Sequence, residues 1–176
     1  MNLTPHISPD PSSPSEPLSK VLVGTWELLS RVDRTAAGER RIEPGLGEDP
    51  VALLYYDASG HFAAQFMKRD RAVDAPPASH GAVAVGGTGA PNNSRAQGGY
   101  DAYFGTYTVD DGRSTVTQRL LGALSPENVG LVLTRAMIVE GDRLTIALDT
   151  AAADGEPVRR TLVWRRAGQR AREGHT

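Results

Sequence analysis

From Leu22 onward, apolar residues recur at every second position in short runs, the period of a pleated strand with one buried face. Residues 26–32 read as the first strand, with Trp26, Leu28 and Ser30 on one face and Thr25, Glu27, Leu29 and Arg31 on the other. Residues 51–57 and 61–67 predict a hairpin about Asp57-Ala58-Ser59-Gly60, a type I turn with Gly60 in the left-handed position. That turn pairs Tyr56 with Phe62, so Ala52, Leu54, Tyr56, Phe62, Ala64 and Phe66 share a face. A slip of one residue would present Tyr55, His61 and Gln65 there instead. Residues 100–109 alternate, Asp111-Gly112 predicts a two-residue hairpin turn, and residues 114–121 return. Pairing Asp110 with Arg113 aligns Tyr103, Gly105, Tyr107 and Val109 with Ser114, Val116, Gln118 and Leu120 on one face. After a loop at 122–128, residues 129–139 and 144–150 form a hairpin around Gly141-Asp142. It collects Leu133, Arg135, Met137, Val139, Leu144, Ile146 and Leu148. Residues 158–166 make the last strand, with Leu162, Trp164 and Arg166 on one side.

About eight strands at hairpin spacing, with a tryptophan near each end, predict an all-β fold: a single antiparallel up-and-down barrel whose last strand closes on its first. Gly24 leaves the backbone free to bend into the sheet, and Trp26 is large enough to fill the closed end. Arg166, at the end of the last strand, can stack on Trp26 and close that floor.

The remaining chain lacks this alternation. Residues 1–17 hold Pro5, Pro9, Pro11, Pro14 and Pro17 among Ser, Asp and Glu, and read as a disordered N-terminal tail. Residues 18–22 predict a short helical turn into a domain spanning 18–166, and 167–176 read as a polar C-terminal tail. Residues 34–50 form a Gly-, Pro- and charge-rich connection. Residues 69–99 make one long loop of mainly Ala, Gly, Pro and polar types without an aromatic until Tyr100. So long a stretch within a domain is either a loose insertion or a lid over the barrel mouth.

Composition narrows the function classes. A net charge of -2 and a pI near 6.1 argue against nucleic acid as a partner. The chain has no cysteine, which excludes disulfides, thiolate metal sites and a cysteine nucleophile. No apolar run reaches the ~18 residues a membrane span needs, so no membrane insertion is expected. Residues 1–17 lack the basic and apolar regions of a secretory signal, and a cytoplasmic setting is expected. The histidines, His6, His61, His80 and His175, have no ligand-like spacing, so no metal is expected. No Gly-x-Ser-x-Gly elbow occurs, and Gly86-Gly87-Thr88-Gly89 lacks the lysine and strand-to-helix setting of a phosphate loop. No cofactor is expected.

The motifs Leu22-Val23-Gly24-Thr25-Trp26-Glu27-Leu28, Leu54-x-Tyr56 with Gly60, and Tyr103-x-Gly105-Thr106-Tyr107 run in order. Val116-x-Gln118, Arg135, Gly141-Asp142-x-Leu144 and Leu162-x-Trp164-x-Arg166 follow them. In this order the chain resembles the lipocalin-like domain family of bacteria and fungi, within the wider calycin group of small barrels, over about residues 18–166. The resemblance implies a barrel that holds a small, largely apolar molecule. Some similar proteins sit in natural-product pathways, and related barrels act as cofactor-free cyclases or isomerases. Similar sequences often carry histidine where Gln118 stands, and glutamine does not titrate, so any acid–base role of that histidine is missing here.

The polar residues on the inferred inner faces are Tyr56, Tyr103, Tyr107, Gln118 and Arg135, with Phe62, Phe66, Leu133 and Met137 as apolar wall. A few directed polar groups in an apolar cavity are the usual make-up of a small-molecule site. Gly105, between two tyrosines, removes volume from the wall. Arg135 stays charged when buried and needs an acceptor, and no acid is obvious on the inner faces. It either binds a ligand's carboxylate, enolate or carbonyl, or serves structure by meeting tyrosines, backbone carbonyls or a loop acid such as Asp70 or Asp74. Each tyrosine alone is also accounted for by strand packing. Two functions follow: a binding module for an apolar metabolite, or a cofactor-free cyclase or isomerase. In the second, Tyr103, Tyr107, Gln118 and Arg135 would polarise a folded polyketide- or polyene-like substrate. An interaction protein using a sheet edge or the tails is a third, weaker reading.

Overall fold

The alternation gives strands wherever the described chain shows it. The computed structural model describes residues 16–71 and 96–168. The expected disordered tail, Glu16 and Pro17 apart, the central part of the expected lid (72–95) and residues 169–176 lie outside the described residues. In chain order the elements are α1 Leu18–Val21, β1 Gly24–Arg34, β2 Arg40–Arg41, β3 Val51–Tyr56, β4 His61–Met67 and β5 Tyr100–Asp110. They continue with β6 Thr115–Ala123, a 3-10 turn Pro126–Asn128, β7 Val132–Glu140, β8 Arg143–Ala151 and β9 Pro157–Arg166.

Eight of these strands form a closed antiparallel barrel in the order β1, β3, β4, β5, β6, β7, β8, β9, and β9 pairs back onto β1. The short β2 stays outside the cycle, paired to the end of β1 through Asp33↔Arg41 and Arg34↔Arg40. The all-β, up-and-down barrel expected from the hydrophobic pattern is therefore the observed architecture.

Turn chemistry sets most registers. Tyr56 faces Phe62, and Ala52, Leu54, Tyr56, Phe62, Ala64 and Phe66 are all buried. Gly60 sits at φ 89°, and the Asp57 carboxylate accepts the backbone N–H groups of Ser59 and His61 at 2.9 Å each. The β7–β8 hairpin pairs Glu140 with Arg143, as the Gly141-Asp142 turn predicts. The β5–β6 turn differs from expectation. It spans residues 111–114 with Asp110 opposite Thr115, because the Asp110 carboxylate takes the Arg113 N–H at 3.0 Å and Ser114 adopts φ 51°. The shift is of two residues, so the period-two faces survive, but Tyr107 lies opposite Gln118 where the expected register put Val116.

Strand β1 departs further. Leu28 pairs with Trp164 but Ser30 with Val163, so Leu29 is an extra residue in a β-bulge. Beyond it the alternation inverts. Arg31 and Asp33 are buried while Ser30 is exposed, the reverse of the faces expected from straight alternation. The inner face accordingly does carry an acid, against expectation.

One end of the barrel is sealed. Leu18 and Leu22, in and just after α1, are buried in the core, and Ser19 bonds the Asp111 carboxylate at 2.8 Å through both its N–H and its hydroxyl. Trp26 Nε1 donates to the Leu22 carbonyl at 2.9 Å. The Arg166 guanidinium lies 4.2 Å from the centroid of the Trp26 ring, donating to the carbonyls of Val23 (2.8 Å) and Val21. Gly24 holds φ +141°, and a Cβ there would fall 2.5 Å from Arg166 Nη1. The glycine makes room for the arginine as well as bending the strand.

Candidate functional site

The inner faces of the strands converge on a cavity in the half of the barrel beyond this floor. Its wall is formed by Leu46, Leu54, Phe66, Met137, Ile146, Leu148, Leu162 and Trp164 on the apolar side and by Arg31, Tyr103, Gln118, Arg135 and Arg160 on the polar side. About 50 Å³ of it is open to the centres of water molecules. Roughly 10–15 Å³ of such space holds one water, so the lumen is not plugged.

Of the residues singled out from sequence, Phe66, Tyr103, Gln118, Arg135 and Met137 stand on this wall. Tyr56, Phe62, Tyr107 and Leu133 do not. Tyr56 is fully buried behind Gln118: its hydroxyl accepts Gln118 Nε2 at 2.7 Å and meets Met137 Sδ at 3.7 Å. Burial, with the nearby Tyr103 next, pushes the Tyr56 phenol well above the usual tyrosine range, so it is held neutral as a positioning partner for Gln118. Tyr107 packs edge-on against Tyr56 with centroids 4.8 Å apart, and donates its hydroxyl to the Asp57 carbonyl at 2.6 Å. It fastens the β3–β4 turn. Phe62 lies between the Tyr56 and Tyr103 rings, at 6.0 and 6.2 Å, and Leu133 is buried in the core.

Tyr103 is carried to the wall by the inner face of β5, its ring stacked on Phe66 at 6.3 Å. Phe66 in turn meets Trp164 edge-on at 5.7 Å. Gly105 does not line the cavity. The strands cross closely where the register shifts between Phe104 and Gly105, and any Cβ at Gly105 would collide with the Arg119 carbonyl.

Arg135 is buried on the inner face of β7, and its Nη1 donates to the Thr134 carbonyl at 3.2 Å. Burial lowers its pKa; Tyr103 opposes that shift and the charge of Arg160 adds to it. Sequence reading missed the other two arginines. Straight alternation places Arg31 on the outer face, because the bulge has no signature in it. Arg160 lies two residues before Leu162 on the same face of β9, a spacing that was available in the sequence. It is placed opposite Asp33, whose carboxylate takes Arg160 Nε at 2.7 Å and Nη2 at 2.6 Å. Arg31 Nη1 reaches Glu43 at 3.5 Å.

Among the described residues, no three His, Asp or Glu side chains gather as they do around a metal ion. No described helix is long and apolar enough to cross a membrane.

An antiparallel eight-stranded barrel, closed first strand to last around an open lumen, is a lipocalin-like architecture. The family model described as the lipocalin-like domain matches residues 23–167, and the chain belongs to that family. No curated protein matches the chain. Family and fold together support binding of a ligand inside the barrel.

Proposed function

We propose that the protein binds a small, largely apolar metabolite in its lumen, with Gln118, Tyr103 and Arg135 as orienting polar groups. The observation that carries this reading is the unfilled cavity with apolar side chains on most of its wall and a few polar groups directed into it. A cytoplasmic role in a natural-product pathway, and a domain running over residues 18–166, belong to the same proposal. The test is titration with the neutral probe N-phenyl-1-naphthylamine. Saturable fluorescence enhancement is expected, and Met137→Trp, which fills the lumen, abolishes it. Absence of saturable binding, or binding indifferent to Met137→Trp, overturns the reading.

A second reading is a cofactor-free cyclase or isomerase acting on a polyketide- or polyene-like substrate. Its support is the clustering of phenol, carboxamide and guanidinium donors on one apolar cavity, an arrangement able to stabilise an enolate while the wall enforces a folded shape. In this reading Tyr103, Gln118 and Arg135 contact the substrate. Tyr107, committed to the Asp57 carbonyl, acts only by positioning.

A further inference from the structure

Three guanidinium groups, from Arg31, Arg135 and Arg160, line the cavity, and among the described residues no carboxylate does. The described acids near them do not border it. Asp33 and Glu43 border a smaller cleft on the far side of Arg31. Asp33 is engaged by Arg160 through two short hydrogen bonds. Glu43 accepts the backbone N–H groups of Gly45 and Leu46 at 2.8 Å each, and reaches Arg31 only at 3.5 Å. Asp101, the other buried acid among the described residues, is not on the wall.

Two donors on wall residues are left over. Arg31 Nη2, on a side chain only 4 % exposed, and Trp164 Nε1 have no hydrogen-bond partner among the described residues. Both atoms can only donate, and a buried donor without an acceptor is destabilising. Burial, and next the repulsion of Arg160, lower the Arg31 pKa. A negative group brought into the lumen would satisfy the spare donors and relieve that repulsion together. A phosphate, with about −1.5 to −2 charge and three acceptor oxygens, asks for more than two spare donors; a carboxylate does not.

We infer that the ligand is an apolar carboxylic acid bound as its anion, with the carboxylate at Arg31 and Trp164 and the apolar body against Leu54, Phe66 and Met137. This rests on the reading that the lumen binds an apolar molecule. The assignment is tested with the 176-residue chain by displacement of N-phenyl-1-naphthylamine with decanoate, decanol and decylamine at neutral pH. Decanoate is expected to bind about tenfold or more tightly than decanol, the equivalent of ~1.4 kcal/mol, and decylamine more weakly than either. Arg31→Met is expected to bring the decanoate-to-decanol ratio to about one. Equal affinities for decanoate and decanol in the wild type, or an unchanged ratio in Arg31→Met, overturn the anion assignment while leaving the apolar lumen standing. Should the neutral probe and all three ligands fail to bind, the apolar-ligand reading itself falls. The wild-type comparison decides even where Arg31→Met does not fold.

Discussion

Asp33 and Arg160 face each other in register across the β1–β9 seam, joined by two hydrogen bonds of 2.7 and 2.6 Å. Both side chains are almost wholly buried, so the seam that closes the barrel is held by an ion pair as well as by the backbone ladder. Removing one partner strands the other charge. Asp33→Ala is expected to cost about 3–5 kcal/mol in urea unfolding, whereas replacing both, as Asp33→Leu with Arg160→Met, costs far less. A double replacement as damaging as the single one would show that the pair does not act as a unit.

At the floor, Gly24 and Arg166 occupy one space. Gly24→Ala puts a methyl group 2.5 Å from Arg166 Nη1 at a backbone angle that L residues rarely adopt. A loss of about 1–3 kcal/mol is expected from the backbone alone. Arg166→Met removes the contact over Trp26, about 1–2 kcal/mol for a partly desolvated cation, together with its bonds to Val21 and Val23. In the double variant the steric part of the Gly24→Ala loss disappears and the backbone part remains. The thermal midpoint of the double variant therefore lies above the sum of the two single shifts.

Tyr56 makes stability sensitive to alkaline pH. Its phenol titrates higher in the folded chain than the ordinary 10.0 because burial opposes the phenolate. A raised folded pKa gives stability that is complete below the unfolded value and is lost as pH rises from there toward the folded one. Unfolding free energy measured from pH 8 to 11.5 is therefore expected to fall above about pH 10, and less steeply in Tyr56→Phe. At neutral pH that variant leaves Gln118 Nε2 without its acceptor, at a cost of about 1–3 kcal/mol.

Asp57 acts at the other end of the pH scale. Backbone donation from His61, then the Ser59 hydroxyl, holds its carboxylate below the ordinary 3.8. A depressed folded pKa gives stability that is present above the unfolded value and lost as pH falls through the folded one. Asp57→Asn is expected to lower the thermal midpoint at pH 7 and to leave the midpoint nearly unaltered at pH 2. An equal drop at both pH values would trace the effect to turn geometry and not to charge.

The hairpins were legible in the sequence because local chemistry fixes them. Asp57 and Gly60 dictate that Tyr56 meets Phe62, and Gly141 and Asp142 dictate that Glu140 meets Arg143. The 111–114 turn moves the register two residues from the one Asp111-Gly112 predicts, and a shift by an even number keeps each side chain on its face. The bulge at Leu29 was not legible, because it is a property of how β1 meets β9 rather than of β1's own pattern. That one extra residue hid Arg31 and Asp33, and with Asp33 hidden Arg160 had no visible reason to be buried. Tyr107 illustrates a different limit. Its inward direction was readable from alternation, but its commitment to a carbonyl fifty residues away in the chain was not.

The bulge also has a bearing on how such barrels diversify. Were β1 to run straight at its present length, Ser30 and Val32 would turn inward and both charges outward, leaving a lumen of different polarity built from the same residues. The chemical character of the interior is thus set partly by the bulge: its loss at constant length would exchange the two faces, whereas deletion of Leu29 with it would leave Arg31 and Asp33 inward. Matching related chains by composition alone, without counting residues through this strand, would put the two arginine–acid contacts of β1 on the wrong side of the wall.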